Sequence, residues 1–97
     1  MKRVLAEKQT PHRWRVILCG HIDDLESAVE AIQKNLAEIW IGFSQSGDDD
    51  EATVTITLNW LDRGMLQMVR DIIETYHEGV AILYNGGVDY NGNRIKS

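Results

Sequence analysis

In the stretch ATVTITLNW, residues 52–60, threonine and apolar side chains alternate without a break: Val54, Ile56, Leu58 and Trp60 fall on one side and Thr53, Thr55, Thr57 and Asn59 on the other. A period of two marks a strand with one buried face. Upstream, WRVILC (residues 14–19) is a short β-branched and aliphatic run between Pro11 and Gly20, which predicts a first strand. The period then becomes helical. Leu25, Val29, Ile32 and Leu36 recur at helical intervals, and Glu26 follows Asp23 at capping-box spacing, so a helix opening at Asp23 is expected. IWIGF (residues 39–43) predicts the second strand. Leu66, Val69, Ile73 and Tyr76 predict the apolar side of a second helix, with Asn59 or Asp62 as its cap and Gly79 as a left-handed end. Residues 80–84 predict a fourth strand, and NGG and NGN after it predict a hairpin.

The resulting order is β-α-β-β-α-β. Right-handed crossovers turn it into an α+β, ferredoxin-like sandwich with a four-stranded antiparallel sheet and two helices on one face, plus an N-terminal extension and a C-terminal hairpin. Ninety-seven residues form one domain, 1–97: a basic arm (1–13), the βαββαβ core (14–84) and the hairpin (85–97). This topology puts GHIDD after strand one, the hairpin SQSGDDDE and the turn HEG at one end. His21, Asp23, Asp24, Asp48, Asp49, Asp50, Glu51, His77 and Glu78 are therefore expected to share a pole. Strand parity assigns Ile17, Cys19, Trp40 and Leu83 to the sheet face away from the helices. An apolar set of that kind calls for a cover, either the N-terminal VLA segment or a second copy in a homodimer.

Charge sharpens this picture once it is divided along the chain. The formal net charge is −5. Residues 1–15 carry Lys2, Arg3, Lys8, Arg13 and Arg15 against Glu7, a net of +4, whereas residues 16–88 hold thirteen acids against Lys34, Arg63 and Arg70, a net of −10. A body so charged repels nucleic acid and membrane surfaces and attracts basic proteins. The basic arm is expected to fold back onto it. The longest apolar runs are far too short to span a bilayer, Glu7 and Lys8 interrupt any leader-like start, and Cys19 is the only cysteine. A cytoplasmic location is the expectation.

The pole collects the side chains with candidate chemistry. Aspartate and glutamate oxygens suit calcium or magnesium, and His21 with His77 would suit a transition metal. GDDDEA, however, lacks the alternating ligand spacing and terminal glutamate of an EF-hand, and two histidines fall short of a zinc set. No metal or cofactor is expected. Cys19 stands near a histidine and a helix start, yet the neighbouring carboxylates favour the neutral thiol, and NGGVDYNG opens no helix that would cradle a phosphate. The chain is therefore read as a non-enzyme. Its order is also that of the RNA-recognition module, but threonines stand where stacking aromatics belong and the body is acidic, so no direct nucleic-acid contact is expected.

The surface itself carries the remaining signal. Asp23, Glu26 and Glu30 repeat at i, i+3 and i+7, and Asp71, Glu74 and Glu78 repeat the same spacing, so each trio forms a stripe with carboxylates about 4.5 to 6 Å apart along the helix, the second nearly opposite Leu66, Val69, Ile73 and Tyr76 and so facing solvent. With Asp48, Asp49, Asp50 and Glu51 they approach the charge density of a nucleic-acid backbone. The expectation is a non-catalytic acidic protein that docks on a basic surface of a larger protein: a nucleic-acid-mimicking inhibitor of a nuclease, a CRISPR complex or a restriction complex, as phages deploy, or an immunity protein against a toxin. The span from Trp14 to Tyr84 also resembles an ACT domain in element order, with GHIDD at the position of that family's Asp-x-Pro-Gly-like turn but without its proline. That resemblance implies a small-metabolite-binding regulatory module acting as a homodimer.

Overall fold

The computed structural model describes residues 13–60, 64–76, 79–89 and 92–94. Its elements are β1 (Arg13–Gly20), α1 (Ile22–Asn35), a 3₁₀ turn (Ala37–Ile39), β2 (Trp40–Gly47), β3 (Ala52–Asn59), α2 (Met65–Tyr76) and β4 (Ala81–Val88). The strands form one sheet in the order β2-β3-β1-β4, every neighbouring pair antiparallel. This is an α+β fold with a four-stranded antiparallel sheet and two helices, compatible with the ferredoxin-like arrangement expected from the element order.

Alternation decides which face is buried. Trp14, Val16 and Leu18 of β1 and Ala52, Val54, Ile56 and Leu58 of β3 enter the core, and the register sets Val16 against Ile56 and Leu18 against Val54. Leu25, Ala28, Val29 and Ile32 of α1 and Met65, Val69 and Ile73 of α2 cover them. Each such aliphatic side chain, fully buried, contributes about 1.5–3 kcal/mol relative to exposure.

Several boundaries differ from the sequence expectation, each for a physical reason. The cap of α1 is His21 rather than Asp23: the helix begins at Ile22, and His21 Nδ1 accepts from the backbone N–H of Asp23 at 3.1 Å. Asp23 and Asp24 then occupy the first turn, where the positive end of the helix dipole favours carboxylates. In α2 the buried set starts at Met65, and Leu66, expected in the core, is 47% exposed. Asn59 is the last residue of β3, opposite Arg13, and so is no helix cap.

Both edge strands are longer than their hydrophobic runs. β2 continues through Ser44, Gln45 and Ser46 to Gly47, because β3 supplies a pairing register that these residues would not choose alone. A bulge between Trp40 and Gly42 shifts the parity of β2, so Trp40 lies opposite Leu58 and packs against the core. It does not share the outer face with Cys19, as strand parity alone suggested. β4 likewise runs through Asn85, Gly86 and Gly87, which are therefore strand and not turn. The ring of Trp60 fills the space where a Gly87 side chain would stand, and it meets Trp14 edge to face at 4.7 Å. Asn85 joins the layers: its Oδ1 accepts from Trp14 Nε1 at 2.7 Å, and its Nδ2 donates to the Leu66 carbonyl at 3.1 Å.

The tight turn comes later, where the Asp89 carbonyl accepts from Gly92 N–H, the Asp89 N–H donates to the Asn93 carbonyl, and Val88 bridges to Arg94. Gly79, expected as a left-handed helix end, is not among the glycines of positive φ, so its backbone does not supply that cap. Expectations for the basic arm (residues 1–12), the cap at Asp62, the side chain of Tyr76, His77 and Glu78 fall outside the described residues.

Candidate functional site

The acidic block is a four-residue connection. Gly47 pairs with Ala52 across the hairpin, so Asp48, Asp49, Asp50 and Glu51 make up the whole loop, closed by Glu51 N–H donating to the Asp48 carbonyl at 3.1 Å. Gly47 adopts φ 93°, and a Cβ there would come within 2.6 Å of the Glu51 carbonyl oxygen, so the turn demands glycine.

This loop is tied down. The Asp49 carbonyl accepts from Ile22 N–H at 2.8 Å, which satisfies one of the donors that the first turn of α1 leaves open. The Asp23 N–H is satisfied by His21, whose Nδ1 must therefore be unprotonated with the proton on Nε2. Nε2 faces Asp50 Oδ1 at 3.6 Å, and Nδ1 lies 3.8 Å from Asp23 Oδ2. The turn before β4 reaches the same pole, since a Cβ on Gly79 would stand 3.1 Å from Asp24 Oδ2. GHIDD, the DDDE loop and Gly79, which topology alone assigned to one end, do meet there.

Each expected site residue within the described part is exposed. Asp23, Glu26 and Glu30 lie on α1, Asp48, Asp49, Asp50 and Glu51 in the loop, and Asp71 and Glu74 on α2. Asp71 accepts from Gln67 Nε2 at 2.7 Å. Glu78, the end of the second stripe, is outside the described residues. Among the described residues, no three histidine, cysteine or acidic side chains are grouped so as to hold a metal ion. Cys19 is half-buried, opposite Thr53 and Ala81. No helix among the described residues is long and apolar enough to cross a membrane.

Two features escaped the sequence. The first lies on the outer sheet face, where the Arg94 guanidinium covers the Tyr84 ring at 4.4 Å while the Tyr84 hydroxyl donates to the Gly87 carbonyl at 2.8 Å. The turn that follows β4 thus lies against this face, with Gly92 beside Arg15. The second is the edge of β2. Phe43 and Gln45 join Glu26, Val29, Glu30 and Gln33 of α1 around a groove of about 240 Å³. Phe43 is 52% exposed, and its ring sits 6.0 Å from that of Trp40. An earlier signal was present: no residue from Trp40 to Gly47 is charged.

In comparisons with known proteins, the chain matches no family model, no curated protein and no solved structure.

Proposed function

We propose that this chain is a non-catalytic binding protein on a ferredoxin-like scaffold, whose acidic body docks on a basic surface of a larger cytoplasmic protein. In its sharpest form it occupies a nucleic-acid-binding groove in a nuclease, CRISPR complex or restriction complex, as phage inhibitors do; an immunity protein against a basic toxin would use the same physics. The observation that carries this reading is the bond from Ile22 N–H to the Asp49 carbonyl. It anchors the backbone of the acidic loop against the start of α1, so the segment carrying Asp48, Asp49, Asp50 and Glu51 is held beside the first turn that carries Asp23. Fixed charge loses less freedom on binding than charge on a loose tip.

The test is association with a partner captured from host lysate at low salt. Electrostatic steering makes the association rate fall by about one to two orders of magnitude between 50 and 300 mM salt. The quadruple change Asp48→Asn, Asp49→Asn, Asp50→Asn and Glu51→Gln should slow association about tenfold at low salt and flatten its salt dependence. A partner bound equally well at every ionic strength, or by the neutralised loop, removes the proposal.

A further inference from the structure

The two edges of the sheet are protected unequally. Beyond β4 the chain turns back, Val88 bridging to Arg94, and a bulge interrupts its pairing with β1 between Ile17 and Leu18. β2, in contrast, pairs only with β3 among the described residues. It is eight residues long, and it contains no lysine, no proline and no inward-pointing charge. Those are the devices by which exposed edges ordinarily resist pairing, and only the bulge at its first residues is present here. Ile41 and Phe43 are 45% and 52% exposed along it. An edge in this condition offers a row of backbone donors and acceptors to another strand.

The groove beside that edge states what the incoming strand should carry. Phe43 lies opposite Ile56 and Gln45 opposite Val54, so both side chains rise on the helix side, next to Glu26 and Glu30. A strand added to β2 would direct every second side chain into the same space. Glu26 and Glu30 stand one turn apart, about 6 Å along the helix, and alternate residues of a strand are about 6.6–6.8 Å apart. We infer that the free edge of β2 accepts an extended segment of the partner by strand addition, with lysine or arginine at alternate positions facing Glu26 and Glu30 and apolar surface packing on Phe43. This deepens the docking reading given above and rests on it. Charge argues against a second copy as the occupant, because pairing β2 with β2 about a two-fold axis would bring two sets of Glu26 and Glu30 toward one another.

The probe is a synthetic nine-residue peptide alternating lysine with threonine or valine, compared with a peptide of the same composition whose lysines are contiguous and whose centre holds a proline. Binding is followed by fluorescence polarisation in about 150 mM salt, and backbone contact by hydrogen exchange of those amides of residues 42–47 that point away from β3. The alternating peptide should bind at least tenfold more tightly than the control and slow exchange along β2. Phe43→Lys, and separately Glu26→Lys with Glu30→Lys, should each weaken it at least tenfold while circular dichroism and the melting temperature show a folded chain. Neutralising residues 48–51 should change this affinity less than threefold, although it weakens the whole partner.

Equal binding of both peptides, or binding with no protection of β2, overturns strand addition while leaving the acidic docking surface intact. Protection of the outward-pointing β2 amides, those not bonded to β3, that appears without peptide also overturns it: concentration-dependent protection assigns the edge to a second copy, and concentration-independent protection assigns it to the chain's own basic arm. Conversely, loss of salt-dependent partner binding with the peptide result unchanged would sink the docking reading and keep the edge site.

Discussion

Gly87 shows how one missing side chain sets a local packing arrangement. NGG reads as a turn by its residue types, yet the Trp60 ring lies where a Gly87 side chain would project, and Trp60 in turn packs on Trp14. Gly87→Ala should therefore force Trp60 out of place and cost about 1–3 kcal/mol, as overpacking does. In a Trp60→Ala background the same change should cost clearly less, and thermal melts of the four proteins give that coupling directly. His21 makes a second residue-scale case. Because its Nδ1 accepts from the Asp23 N–H, His21→Ala should lower stability by about 0.5–2 kcal/mol. A melting temperature unchanged by that substitution would show that the cap contributes little.

Among the elements, β3 was the most legible, and its burial follows its alternation at every position from Ala52 to Leu58. Its inward residues hold the sheet to both helices, so Ile56→Ala should cost about 2–5 kcal/mol in urea unfolding with an unchanged slope, whereas Thr55→Ala on the outer face should cost far less. The edge strands were legible only in part. Nothing in Ser44, Gln45 and Ser46 demands extended backbone, but a neighbour with a long regular ladder recruits them, and the turn moves out to the four acids. Trp40 and Leu66 were misplaced for a related reason: a bulge or a phase shift of one residue reverses which way a side chain faces, and neither leaves a mark in the hydrophobic pattern.

For the whole molecule the dominant quantity is charge. Deleting residues 1–10 removes Lys2, Arg3 and Lys8 against Glu7, so the remaining chain becomes two charges more negative. The melting temperature should fall at about 10 mM salt, where the Debye length is about 30 Å, and the difference should shrink near 1 M, where it is about 3 Å. A deletion that is neutral or stabilising at low salt would contradict the expected attraction between arm and body. The candidate surface was readable in part: helical spacing located Asp23, Glu26 and Glu30 on α1 and Asp71 and Glu74 on α2, and strand order brought GHIDD and the DDDE loop to one end.

What the sequence determined by itself was the order of elements, the buried face of β1 and β3, and the sign and rough layout of the charge, because these follow from periodicity and connectivity, which are local or additive. The tertiary structure decided the anchoring of the acidic loop through Asp49 and Ile22, the placing of Trp60 against Gly87, the facing of Trp40 and the place of β2, beside Glu26 and Glu30, as an edge strand paired only with β3 among the described residues. Each of these depends on a contact between segments distant in the chain, or on a one-residue change of register, and the pattern within a single segment encodes neither.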